Sequence, residues 1–329
     1  MTNQQRVNNQ RGVTLVELMT ALVLGILVVG GVTGVFIANQ NTYRVNEALS
    51  GLQENARTAF QLMSRDIRNA GFSGCTNNGS VSNVLNNADA QWWTNWRANQ
   101  AGIVGYTPAT LPVGMGNPAP VNNSEALQIM FGGGNSVSIH DHQPNAASAT
   151  LFVNRNNHGL QPGDIVMACD DDHTAIFQIT NANLANQTIV HNAGGSQSPG
   201  NCSKGLGFPT VCTATGTPHR FGNNAMLTRF EAVAWYIGEA NNTRSLYRST
   251  PRRTGNNTGL TTDEILRGVQ SLSFRFIEST NTAMRTTGNV VSWADVVAVE
   301  VQLQMVAPVG VQLANESLSF SYMINLRNR

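Results

Sequence analysis

Between Leu18 and Gln40 the chain contains no Asp, Glu, Lys or Arg, and Leu, Val, Ile, Met and Phe fill most of the positions. A helix needs about 20 such residues to cross ~30 Å of hydrocarbon, so residues 13–40 read as a membrane-spanning helix. Past it the pattern changes while the period stays helical. Val45, Leu49, Leu52, Ala56, Ala59, Met63 and Ile67 recur every three or four residues, which is one apolar face. Arg44, Glu47, Glu54, Arg57, Arg65 and Arg68 fall on the opposite face. Ala70-Gly71 supplies a stop, so residues 41–71 read as an amphipathic continuation of one helix. From Val13 to Ala70 that helix would be about 85 Å long at ~1.5 Å per residue.

After Gly71 the helical period is lost. Cys75 to Asn123 reads as irregular, with Pro108, Pro112, Pro118 and Pro120 at its end. Trp92, Trp93 and Trp96 within it read as the lid of an apolar core. From Glu125 short β-type runs take over: 126–131, closed by Gly132-Gly133-Gly134, then 150–153, 165–168 and 175–179. A Gly/Ser/Cys-rich loop at 192–224 separates these from 229–237, 245–248, 269–277, 296–306 and 317–326. Val299 to Met305 alternates apolar and polar, the signature of a half-buried strand. Short strands with turn signals and no helical interludes predict antiparallel sheet. The fold class is therefore α+β, with a long N-terminal helix on a β-rich head at 72–329.

The start of the apolar run adds chemistry. Arg11-Gly12-Val13-Thr14-Leu15-Val16-Glu17 puts a small residue before the run and one acid at its mouth. A secretory signal peptide has a shorter apolar stretch and its small-residue cut site after that stretch, so any cut here falls before the helix. Gly12-Val13-Thr14-Leu15-Val16-Glu17-Leu18-Met19 resembles the processing site of type IV prepilins. The resemblance implies a leader at 1–12, removed by a prepilin peptidase between Gly12 and Val13, and N-methylation of Val13. It implies that Glu17 forms an assembly salt bridge with the α-amino group of a neighbouring subunit. Many pilins carry Phe where this chain has Val13.

The order of weaker motifs in the head resembles the PilW type of minor pilin. These are Gly163-Asp164-Ile165-Val166, Ala175 to Ile179, Ala234-Trp235-Tyr236-Ile237-Gly238, Ser245-Leu246-Tyr247-Arg248, Leu266 to Leu272, and the terminal Leu326-Arg327-Asn328-Arg329. That family implies a type IV pilin-like fold, with the protein first in the inner membrane, head in the periplasm, and later in an extracellular pilus. Its function would be to prime or cap pilus assembly, in support of twitching motility, adhesion or DNA uptake. Its implied partners are the other minor pilins, the major pilin, and inner-membrane lipid before assembly, with no nucleic acid required. The alternatives are a J-type minor pseudopilin of a type II secretion system and a pilus-tip adhesin or DNA-binding module using Arg252-Arg253.

Composition agrees with an exported, non-catalytic chain. Charged residues are 12% of the 329, and Lys204 is the only lysine. Losing residues 1–12 takes Arg6 and Arg11 from the 20 basic residues, leaving 18 against 19 acidic, a net of −1. Bulk charge thus gives no footprint for nucleic acid. Cys75, Cys169, Cys202 and Cys212 all follow the apolar helix. In an oxidising compartment they read as disulfides. Cys202 and Cys212 bracket a Gly/Pro-containing loop and form one expected bridge, leaving Cys75 with Cys169. Asp170-Asp171-Asp172 is a weak candidate for a cation, but it lacks the spacing and glycine of an EF-hand loop. His140 and His142 offer two imidazoles on one strand face without a third ligand. No phosphate-loop or nucleophile-elbow pattern appears. An enzyme and a cofactor are therefore not expected.

Overall fold

The computed structural model describes residues 12–75, 79–96, 102–145, 147–306 and 317–327. The expected leader lies outside them apart from Gly12, as do Asn328 and Arg329. In chain order the elements are α1 (Leu15–Arg68), β1 (Ser80–Asn83), β2 (Ile103–Tyr106), β3 (Ala126–Gln143), β4 (Thr150–Val153), β5 (Ile165–Cys169), β6 (His173–Gln178), β7 (Asn181–Asn183) and β8 (Thr188–Val190). After a long loop come β9 (Met226–Ala240), β10 (Thr243–Thr254), β11 (Asn257–Arg267), β12 (Val269–Glu278), β13 (Asn281–Thr286), β14 (Val296–Val306) and β15 (Ser317–Asn325). The chain divides into two compact units, one ending at Leu52 and one beginning at Gln53.

In the first unit α1 is exposed on every side from Leu15 to Arg44. It is the one described helix long and apolar enough to cross a membrane. In the second unit the same helix becomes amphipathic. Ala56, Ala59, Phe60, Met63 and Ile67 are buried, as is Ala70 just past the helix end, while Gln53, Arg57, Gln61, Arg65 and Arg68 stay exposed. Burial begins at Leu52, later than the stripe from Val45 suggests, because Val45 and Leu49 remain partly open.

The helix ends by engaging the sheets. Gly71 takes a positive φ of 76° and donates its N–H to Met130 O of β3 at 3.0 Å. Met130 N in turn donates to Gly102 O at 2.7 Å. The backbones approach so closely that a Cβ on Gly102 would run into Met130 O and the backbone of Gly71, and only glycine fits there. Arg327 N–H caps the last helical carbonyl, Arg68 O, at 3.2 Å, meeting part of the unpaired C-terminal set that any helix leaves.

The main sheet carries eleven strands among the described residues, ordered β1-β6-β5-β9-β3-β4-β8-β7, with β10 and β11 extending from β9 and β2 lying on β3. It is antiparallel except for β1, which runs parallel to β6. Its centre is covered on both faces. Val166, Ala168, Phe177 and Leu227 pack on one side with Ile189 and Phe221. Met167, Ile176, Ala232 and Ala234 pack on the other with Trp92, Trp93 and Trp96. Two-sided burial is why β5 reads as an unbroken apolar run and why every residue of β6 is buried. The second sheet is ordered β13-β12-β14-β15, and Val299, Val301, Leu303 and Met305 of β14 are buried at alternate positions.

The sequence misplaces two features. Cys75 to Asn123 is not wholly irregular, since it holds β1 and β2. Their four-residue length hides them from periodicity. Gly132-Gly133-Gly134 does not close a strand either, because β3 runs on to Gln143 through a register shift between Gly133 and Val137. Gly134, at φ 75°, supplies the bulge.

One polar side chain sits on the buried face of the helix. Asp66, 5% exposed, accepts from Trp235 Nε1 at 3.0 Å and from Arg248 Nε at 2.8 Å on Oδ2, and from Arg248 Nη2 at 3.2 Å on Oδ1. Removing it orphans a buried indole N–H and a guanidinium, a loss of about 2–4 kcal/mol. Asp66→Ala should lower the denaturation midpoint of the detergent-solubilised chain, read by tryptophan fluorescence, and Trp235→Phe should lower it less. Equal stability of Asp66→Ala and the parent would contradict this role.

Candidate functional site

The processing motif is built on the helix start. Gly12 to Thr14 lie outside the helix and are exposed, and Gly12 has open space about its Cα. Thr14 is the N-cap. Its Oγ1 accepts from Glu17 N–H at 3.3 Å, while Glu17 Oε2 accepts from Thr14 N–H at 3.0 Å and from Thr14 Oγ1 at 2.9 Å. This is a capping box, in which Thr and Glu three residues apart satisfy each other's orphan groups. The carboxylate also sits at the positive end of the helix dipole. Glu17 is thus satisfied within its own chain, a role that the Thr-x-x-Glu spacing signals and the sequence reading passed over. The Gly12–Val13 bond stands just outside this cap, open to a protease.

In the head, Cys75 is bridged to Cys169 and Cys202 to Cys212. The first bridge ties the segment leaving α1 to the end of β5. The second closes part of the loop between β8 and β9.

Asp170, Asp171 and Asp172 turn the chain between β5 and β6, with carboxylates within 4.8 Å of one another. Asp170 is spoken for: Oδ2 meets His219 Nε2 at 2.8 Å and Oδ1 accepts from His173 N–H at 3.0 Å. The geometry is that of a solvated turn. Arg252 and Arg253 do not form a free basic pair, since Arg253 Nε lies 3.4 Å from Asp164 Oδ1.

The two histidines of β3 do not share a face. A register shift between Ile139 and Asp141 leaves His140 exposed and buries His142. His142 meets His191 instead, Nε2 to Nε2 at 3.0 Å, with Phe221 and Phe177 packed around the pair. Phe221 N–H donates to His142 Nδ1 at 3.2 Å. That fixes the tautomers by the hydrogen-bond network: His142 carries its proton on Nε2 and donates it to His191, whose proton is on Nδ1. With that proton on Nε2, His142 has no lone pair there for a metal. Nothing local along the chain signals this pair, whose members lie 49 residues apart.

Burial, above all, pushes both imidazoles down, His142 to about 4, and each ring disfavours charge on a neighbour. His219, Arg220 and Lys204 act in the same direction, while Asp141 opposes them at His142. Burial also lowers His173 and His158.

Residues 7–33 match the prokaryotic N-terminal methylation motif, so over these 27 of 329 residues the chain is similar to that family. No curated protein matches the chain. The motif and the fold, a long apolar helix running into an antiparallel β-rich head, support a type IV pilin-like or pseudopilin subunit. Motif and fold together indicate a structural subunit. The motif implies processing by a prepilin peptidase and assembly with other pilins, and the apolar helix points to membrane anchoring.

The histidines set a pH dependence. Their folded values lie below the ordinary ~6.5, so below that pH the unfolded chain binds more protons and stability falls as pH drops. Each such proton contributes a slope of up to ~1.4 kcal/mol per pH unit. Denaturation midpoints of the detergent-solubilised chain should fall between pH 6.5 and 5, since the four lowered histidines outnumber Glu231, whose carboxyl burial pushes up and which acts in the opposite sense. A flat profile across that window would contradict neutral burial of the pair.

Proposed function

We propose that this chain is a minor pilin of the PilW type that primes or caps a type IV pilus after cleavage between Gly12 and Val13. The single observation that carries this is the exposed Gly12–Val13 bond, set immediately before a Thr14–Glu17 cap inside the matched methylation motif. In this reading residues 1–12 are the leader, 13–40 the membrane and assembly helix, 41–71 its amphipathic continuation, and 72–329 the periplasmic head. Cutting creates a free amine on Val13, which is then N-methylated. Glu17 pairs with such an amine on a neighbouring subunit as the helices leave the inner membrane. Opposite charges at ~4 Å attract by about 4 kcal/mol at an effective dielectric near 20. The partners are a prepilin peptidase, the other minor pilins and the major pilin.

Mass spectrometry of the mature protein should show N-methylated Val13 as its first residue; an intact leader, or a cut further along, removes the reading. Glu17→Ala should be processed normally and yet reduce fibre number. Unchanged piliation would take Glu17 out of the mechanism. Deleting the gene should remove pili and leave protein secretion intact, and the reverse outcome would make the chain a pseudopilin of a type II secretion system.

A further inference from the structure

Beside the helix, in the second unit, β15 forms the edge of its sheet and, among the described residues, pairs only with β14. Its outer side therefore offers a row of main-chain donors and acceptors, a ready template for another strand. The face that β15 turns toward the core is incompletely covered. Val301 and Leu303 of β14 are fully buried, whereas Tyr322, opposite Val301, is 47% exposed. Phe320, opposite Leu303, is only half-buried. The strand runs alongside the helix, held by the Phe60–Tyr322 ring contact at 5.7 Å and by the Arg327–Arg68 backbone hydrogen bond. Between strand and helix lies a groove of about 1100 Å³.

The walls of this groove have one sign of charge. Arg57, Arg65, Arg68 and Arg327 line it, and among the described residues no carboxylate does. None of the four forms an ion pair with a described residue. By contrast, the neighbouring acid of the helix, Asp66, faces the core and is held by Arg248. The chain as a whole is close to neutral, with 20 basic and 19 acidic residues, so this is a local stripe and not part of a wide basic field of the kind that tracks a nucleic-acid backbone. Eleven helical residues separate Arg57 from Arg68, about 16 Å at ~1.5 Å each. An extended peptide covers that span in about five residues at ~3.4 Å each, with every second side chain on the arginine side.

We propose that this groove docks an extended acidic segment of a partner protein, added as a further strand to the free edge of β15. The partner's main chain pairs with β15, its carboxylates at alternate positions face the arginines, and its own width covers Phe320 and Tyr322. Main-chain pairing supplies affinity and the alternating carboxylates supply specificity, as in other strand-addition complexes.

The test uses the full chain in detergent micelles and a fluorescein-labelled nine-residue peptide alternating Glu with Thr and Val, followed by anisotropy. The peptide should bind and saturate, more weakly as salt rises. A version with Lys for each Glu, and one N-methylated on alternate backbone nitrogens, should each bind at least about tenfold more weakly, a difference of ~1.4 kcal/mol. Arg57→Gln with Arg65→Gln should cost a similar factor without changing the near-ultraviolet circular dichroism, and Arg252→Gln should cost nothing. Three results overturn the proposal: no binding of the acidic peptide, equal binding of its N-methylated form, or tighter binding of a twelve-nucleotide oligothymidylate than of the peptide.

Discussion

The last turns of one helix are held against the sheets by a carboxylate placed where an apolar side chain would be expected. Asp66 lies on the buried face, next to Ile67 and between Met63 and Ala70. Burying an ion is costly unless its lone pairs are filled and an opposite charge is near. Here both oxygens accept from Arg248 or Trp235, and the guanidinium lies 6.0 Å from the centre of the indole ring. The geometry is demanding in a way that apolar packing is not. A helix rotated by one residue could still bury alanines and methionines, but it could not reach both Nε1 of Trp235 and the fork of Arg248. The ion pair thus fixes rotation and register, while Ala56, Ala59, Met63 and Ile67 provide the area.

A second constraint is the two-sided burial of the main sheet. With apolar clusters on both faces, polar groups in the central strands must satisfy one another inside the protein. His142 does so through both ring nitrogens, donating to His191 and accepting from Phe221 N–H. Gln178 does so by bonding the loop: its Nε2 donates to Gly163 O and its Oε1 accepts from Gly200 N–H. The long segment between β8 and β9 contains no described strand and is held by such contacts and by the Cys202–Cys212 bridge.

The parts that were legible in the sequence are those fixed by local periodicity. The apolar run, the amphipathic stripe and the alternation of Val299 to Met305 each follow from spacing along one element, and each appears as an element. The same spacing places Asp66 on the stripe, a polar residue in an apolar series, which is the one signal that could have marked the anchor. Its partners lie on β9 and β10, more than 160 residues away, and nothing local names them. The failures have the same origin. His140 and His142 share a face only if the strand is regular, and the bulge that separates them depends on pairing with β4. Where β3 continues past Gly132-Gly133-Gly134, the pairing with β9 overrides the tendency of glycine to end a strand.

At the other end of the chain Glu17 raises a question of balance. Its carboxylate already accepts two hydrogen bonds from Thr14, so a pairing with an amine from another subunit exchanges contacts rather than adding them to an empty group. Hydrogen bonds from neutral donors contribute about 1 kcal/mol each net, and those to a charged group about 1.5–3. A full positive charge at contact distance competes with them on comparable terms. The proposed processing would change that comparison, because cutting after Gly12 would turn the neutral amide nitrogen of Val13 into an ammonium group. That new charge lies against the positive end of its own helix dipole, which disfavours it. It is relieved by a carboxylate, either the Glu17 of the same chain or that of a neighbour. The cap therefore keeps the acid satisfied while the chain is single, and in the proposed mechanism cleavage supplies the charge that gives a second subunit something to offer it.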